Sequence, residues 1–139
     1  MAKFNSKASV FNLTDAGGSL RSMEEYVVSI DGIPGERELN EVTVLGDSGR
    51  NHIGGLENVT ITLELVYDDT ATSGPDVVLS GLRSDDTARA WDYGPKGGSG
   101  RKYSGTMKLR SYTVMSRVGE IVSARAELLV QGTVTVGTY

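Results

Sequence analysis

Three features of the sequence predict a mainly β fold: an antiparallel β-sandwich or barrel with one short flanking α-helix and one long inter-strand loop. The first is composition, since 139 residues carry 18 glycines, three prolines, no cysteine and only 6% aromatics. That balance favours a turn-rich β chain over a helical or disulfide-framed one. The second is a two-residue alternation of apolar and polar side chains that recurs in separate stretches. The third is its one interruption, a short segment with helical spacing. Residues 1–139 suit a single domain, because domains most often run to roughly 100–150 residues.

The stretch "KASVFNLTD" predicts an opening strand, stopped by Asp15, Ala16, Gly17 and Gly18. "EEYVVSIDG" puts Tyr26, Val28 and Ile30 on one face of a second strand. The clearest alternation is in "ENVTITLELVYDD", where Val59, Ile61, Leu63, Leu65 and Tyr67 face one way and Thr60, Thr62, Glu64 and Asp68 the other. "SGPDVVLSGLRSDD" breaks this period. Pro75 suits a first helical turn, Val77, Val78, Leu79 and Leu82 form an apolar stripe, and Ser84, Asp85 and Asp86 stop it, so a helix over about 75–84 is expected to cap the barrel or sandwich. "ARAWDYGP" predicts another strand, and "KGGSGRK" a glycine-rich connection. Then Met107, Leu109 and Met115 oppose Lys108, Arg110 and Tyr112 in the first arm of a hairpin that turns near Val118, Gly119 and Glu120. Its second arm keeps one parity from Val122 through Ala124, Ala126, Leu128, Val130, Gly132 and Val134 to Val136. Unbroken, it would span about 50 Å at ~3.3 Å per residue, so a bulge or bend near Gly132 is expected.

Between two good strands lies a polar, glycine-rich stretch, about 34–57, longer than the roughly 12–15 residues beyond which a loop inside a compact domain is usually functional or disordered. Ordering it costs about 1–2 kcal/mol of backbone entropy per residue, which a surface loop's own contacts cannot repay. Its apolar residues Leu39, Val42, Val44, Leu45, Ile53 and Leu56 give it surface to dock on a neighbour, as a protruding hairpin.

Within that stretch, Gly46-Asp47-Ser48-Gly49 has the look of a serine nucleophile loop, but the one histidine, His52, follows four residues later in the same segment. No scaffold there separates base from nucleophile or builds an oxyanion hole, so a serine hydrolase is not the reading. "GPKGGSGRKYSG" lacks the Lys-Ser/Thr step and the helix of a phosphate loop. It reads as a solvated turn whose Lys96, Arg101 and Lys102 could meet acids on a partner. Asp68-Asp69 and Asp85-Asp86 lack the ligand spacing of a calcium loop. Trp91 and Tyr93 share a strand face, which fits packing better than a ligand platform. Fourteen Lys and Arg against eighteen Asp and Glu, net −4, argue against a general nucleic-acid or anionic-membrane binder. No apolar run approaches a membrane helix or signal peptide, and the chain is expected to be cytoplasmic when made. No catalytic residue, metal or cofactor is assigned.

The run "ELNEVTVLGDSGRNHIGGLENVTITLELVYDD", preceded by "EEYVVSIDG" and followed by a short helix and "YSGTMKLRSY", resembles the major tail tube proteins of long, non-contractile-tailed bacteriophages. Carrying the likeness are Thr43 before Gly46-Asp47, Arg50, the Gly55-Leu56 step, an alternating strand ending at Asp68, Tyr103 before Ser-Gly, and Gly132 in the last strand. Their order covers nearly the whole chain. The resemblance implies a structural virion protein: six copies close into a ring, and rings stack into a tube around a tape-measure protein. That tube, ended by tail terminator and distal tail proteins, later conducts DNA. The chain would be assembled in the host cytoplasm and reside in the virion tail. The long loop, with Leu39, Val42, Val44, Leu45, Gly46, Asp47, Ser48, Arg50, His52 and Ile53, would contact an adjacent ring or subunit.

DNA transit requires a lumen that does not hold phosphate, because each cationic contact adds affinity and rings repeat it. Thr60, Thr62 and Glu64 are the leading lumen-facing candidates, while Lys108 and Arg110 would have to pair with acids or point outward. The competing reading is a monomeric β-sandwich that binds a ligand in a preformed pocket.

Overall fold

The computed structural model describes residues 5–139. After a 3₁₀ turn at Ser6–Ala8 come β1 (Val10–Thr14), β2 (Leu20–Ser22), β3 (Val27–Asp31), β4 (Glu36–Glu41), β5 (His52–Asn58) and β6 (Thr60–Val66). These are followed by α1 (Pro75–Leu82), β7 (Arg89–Gly94), β8 (Arg101–Met115) and β9 (Ser123–Thr138). Seven strands form one antiparallel sheet in the order β2-β1-β7-β8-β9-β6-β3, and β4 pairs with β5 alone. The fold is mainly β with one helix, as the composition and periodicity predict.

The alternating side chains explain how the sheet closes on itself. Phe11 and Leu13 of β1, Ile61, Leu63 and Leu65 of β6, Trp91 of β7, Met107 of β8 and Ala126 and Leu128 of β9 join one buried cluster, with Ile30 of β3 packed against it. Side chains from both ends of the sheet reach the same core, so the sheet is rolled over it. A cleft of about 310 Å³ between β1 and β3 marks where those ends approach without pairing. Burying each large apolar side chain stabilises the roll by about 1.5–3 kcal/mol.

Helix α1 covers the core with Val78, Leu79 and Leu82, begins on Pro75 and leaves Val77 exposed. It ends with Arg83 as its cap, slightly before the position the Ser-Asp-Asp cluster suggests. The Tyr112 hydroxyl donates to Asp76 Oδ1 at 2.9 Å and ties the helix to β8.

Two bulges change which residues face inward. On β3 the register shifts between Val27 and Ser29, so Val27 and Ile30 pack on the core while Val28, expected on the buried face with Tyr26 and Ile30, is 67% exposed. On β8 a shift between Leu109 and Ser111 turns Tyr112 toward the core and leaves Met115 exposed, reversing both expectations. One extra residue inverts every side chain beyond it. The bulge expected in β9 is present: Gly132 has φ +75°, and the pairing jumps from Thr106 with Gln131 to Ser104 with Thr135. Beyond it Val134 is partly buried and Val136 exposed.

Candidate functional site

The long loop is a two-stranded arm whose own side chains organise it. It leaves the body through Gly32 (φ +98°) and Gly35 (φ +91°), where a Cβ would lie 2.0 Å from the Thr60 carbonyl oxygen and 2.6 Å from Val59 Cγ2. Only glycine allows both the left-handed backbone and that approach. On the returning side, the Val130 N–H donates to the Val59 carbonyl, and the Val134 N–H donates to Glu57 Oε2 at 3.2 Å. The root of β5 therefore runs beside the continuation of β9, and the arm points away from the β8–β9 turn.

Along the arm, Arg37 pairs with Glu57, Leu39 with Gly54, Asn40 with Ile53 and Glu41 with His52, with a bulge between Arg37 and Leu39. Gly54 lies under the Arg37 guanidinium and Gly55 under Glu38 and Asn40, so long side chains cross the ribbon where the partner has none. At the tip, Asp47 Oδ2 accepts from the Val44 N–H at 2.9 Å and from Asn51 Nδ2 at 3.0 Å. Thr43 Oγ1 accepts from the Asn51 N–H at 2.9 Å, and Arg50 lies 3.5 Å from Glu41. Thr43, Asp47 and Asn51 thus form a polar scaffold for an apolar crest, with Gly46 in the turn between them.

That crest is uncovered. Every residue from 34 to 58 is exposed, Leu39, Val42, Val44, Ile53 and Leu56 among them, and Leu45 is as open as in an extended chain. Internal polar bonds offset part of the ordering cost, but no apolar side chain of the tip finds cover among the described residues.

Thr60, Thr62 and Glu64 lie on the outer face of β6, opposite the core residues Ile61 and Leu63. Thr62 stands beside Glu127 and Asp31, and Glu64 beside Arg125 and Ser29. Lys108 and Arg110 belong to the same sheet, and Arg110 Nε lies 4.0 Å from Glu127 Oε2. Asp31, Glu64 and Glu127 balance Lys108, Arg110 and Arg125 across this face.

The other residues weighed from sequence lie apart. Ser48 is in the tip and His52 opens β5 opposite Glu41, with no hydrogen bond between their side chains. Trp91 is 1% exposed within the core and offers no face to a ligand, while Tyr93 stacks on Tyr103 at 6.3 Å. Asp68 accepts from the Thr70 hydroxyl and N–H, and Asp85 from Arg89 Nε at 2.7 Å, contacts that hold both carboxyls below their ordinary range. Both acids shape turns. The glycine-rich 95–100 segment joins antiparallel β7 and β8 directly, with no helix to face a phosphate. Among the described residues no cluster of His, Cys, Asp and Glu could hold a metal, and no helix is long and apolar enough to cross a membrane.

A second exposed apolar region has almost no counterpart in the sequence pattern. A groove of about 320 Å³ at the β8–β9 turn is lined by Val28, Met115 and Ile121 with Arg117, Glu120 and Arg125, and Val118 crowns the same turn fully exposed. Its signal was two isolated aliphatics in a turn, Val118 and Ile121; Val28 and Met115 joined them only through the bulges.

A rolled antiparallel sheet with one capping helix and an unsupported two-stranded arm defines the architectural class. No family model matches the sequence, and no curated protein matches it. Solved structures share the fold over almost the whole chain. A chain from the C6-symmetric tail of an empty gene transfer agent particle is similar at 15% identity and a TM-score of 0.78, over 98% of this chain and all of that one. A chain from the virion of the native gene transfer agent particle is 17% identical, with a TM-score of 0.76 and the same coverage. A chain from the sheath/tube terminator of an extracellular contractile injection system, PVC, in its extended state is 10% identical, with a TM-score of 0.69 and 99% of each chain covered. The chain has the fold found in these tail and tube particles.

Proposed function

We propose that the chain is the structural subunit of a phage-type tail tube, a single domain that closes six to a ring, with rings stacked into a conduit for DNA. The observation that carries this is the β4–β5 arm: a built element whose apolar crest the monomer leaves bare. The likeness in fold to a chain of a C6-symmetric tail supports the same reading. Leu39, Val42, Val44, Leu45, Gly46, Asp47, Ser48, Arg50, His52 and Ile53 then belong to an inter-subunit contact, and Thr60, Thr62 and Glu64 to the bore. The role is mechanical, without catalysis. A tape-measure protein occupies the bore during assembly in the host cytoplasm, terminator and distal tail proteins close the tube, and the product resides in the virion tail.

Free sheet edges favour such a role, since unpaired edges are association hazards unless used. A heterologous contact that closes gives a ring; one that does not gives a filament. Negative-stain electron microscopy of the concentrated protein tests the reading, with six-fold rings or a hollow banded tube expected. Deleting residues 46–52 should abolish polymerisation into tubes while a circular dichroism melt still shows a folded core. Monomeric particles under all conditions, also with a tail initiator complex present, would overturn the proposal in favour of a ligand-binding module.

A further inference from the structure

Resting on that reading, we propose that the tip of the arm, Val44 and Leu45, seats in the groove at the β8–β9 turn of a second copy, against Val28, Met115 and Ile121. The two features lie at opposite ends of the fold. Strand β6 begins at Thr60 beside the root of the arm and ends at Val66, paired with Ser123 beside the groove. The Glu57 contact to Val134 shows the arm continuing along β9 away from that turn. A seven-residue β6 alone separates the two ends by roughly 20 Å at ~3.3 Å per residue, and the arm adds to it, so a chain cannot reach its own groove.

Both ends leave apolar side chains bare. Val44 and Leu45 are 65% and 107% exposed, and Val28, Met115, Val118 and Ile121 are 67%, 44%, 105% and 71% exposed. The arm is acidic, with Glu36, Glu38, Glu41, Asp47 and Glu57 against Arg37 and Arg50. The groove carries Arg117 and Arg125 with Glu64 and Glu120, none of the four in an ion pair among the described residues, and Glu64 and Arg125 form the rim it shares with the outer face of β6 and β9. Tip-to-groove contact is heterologous and runs along the strand direction, so its repetition extends a filament instead of closing a dimer.

The absence of cysteine makes a direct test clean. The double variant Leu45→Cys, Ile121→Cys, mildly oxidised, should give a ladder of cross-linked multimers that reductant collapses. Mixing the two single variants should give dimers of one chain of each kind. Leu45→Cys alone should give none, and dimers from it would overturn the proposal by showing tip against tip. Ile121→Glu, at an exposed position, should melt like the parent and form rings without tubes. Parent tubes with no ladder from the double variant, or normal tubes from Ile121→Glu, would overturn the groove while leaving the tube reading intact. Parent protein that yields neither rings nor tubes, together with no ladder, would overturn both.

Discussion

Gly32 and Gly35 set where the arm leaves the body. At Gly32 a methyl group would lie 2.0 Å from the Thr60 carbonyl oxygen, a backbone atom that cannot swing aside, and φ is already in the left-handed region. Gly32→Ala should therefore destabilise the fold by at least about 1–3 kcal/mol, the usual cost of holding a side chain in a disfavoured backbone region. Urea unfolding checks it, and an unchanged midpoint would mean the root of the arm relaxes freely. Individual ionisable groups give a second expectation. Burial pushes Asp15 up, but hydrogen bonds from Ser19 and Arg21 outweigh it and leave its carboxyl below the ordinary value, as contacts with Thr70 and Arg89 do for Asp68 and Asp85. Such groups contribute above their unfolded pKa of 3.8, and the contribution disappears as pH falls through the folded value. Burial, then hydrogen bonds to Asp76 and Asp92, raise the phenols of Tyr112 and Tyr139 above 10, so their contribution is present below pH 10 and lost as pH rises toward the folded values. The melting temperature should be level through neutral pH and fall on both sides, below about 4 and above about 10. A profile that bends within pH 5–9 would contradict these assignments.

Folding and, on the tube reading, assembly rest on different elements. Ile61 is fully buried between β9 and β3, and Ile61→Ala should cost about 2–5 kcal/mol and remove rings and tubes together with the fold. Deleting the tip touches none of those contacts, so a melt and an electron micrograph should part company for the two variants. The same separation explains what was legible in the sequence. Strands β6 and β9 and helix α1 could be read because each buries one regular stripe, and periodicity is a direct image of one-sided burial. Gly132 could be read as a bulge because a strand of that length needs one. The bulges at Val28 and before Ser111 could not, since Val27-Val28 and Arg110-Ser111 carry no residue that demands an extra position, and pairing with β6 and β9 decides them. The arm was legible as surface and as a hairpin. Its root was not, because the glycines at 32 and 35 acquire their meaning only against Val59 and Thr60. The groove was hidden for the same reason, being assembled from β3 and the β8–β9 turn by those unannounced bulges.

At the scale of the whole molecule, the charge on one sheet face bears on what a tube could transport. Asp31, Glu64 and Glu127 interleave with Lys108, Arg110 and Arg125, and Arg110 is drawn to Glu127. A polyanion sliding along such a face meets attraction and repulsion in alternation and finds no place to rest. Thr62 sits between Asp31 and Glu127 at the centre of the pattern. Thr62→Lys would tip the balance at one point per subunit, and six-fold rings stacked along a tube would repeat it many times over, turning a weak contact into strong retention. If this face lines the bore, Thr62→Lys tubes assembled with short DNA should hold a nuclease-resistant fraction that the parent lacks. That fraction should be lost between about 50 mM and about 200 mM salt as counterions compete for phosphate. A lysine at Ser80, on the exposed side of α1, should at most bind DNA that nuclease removes. Equal protection in parent and Thr62→Lys tubes would place Thr60, Thr62 and Glu64 away from the bore, because a cation facing the transported polyanion in every ring cannot leave its passage unchanged.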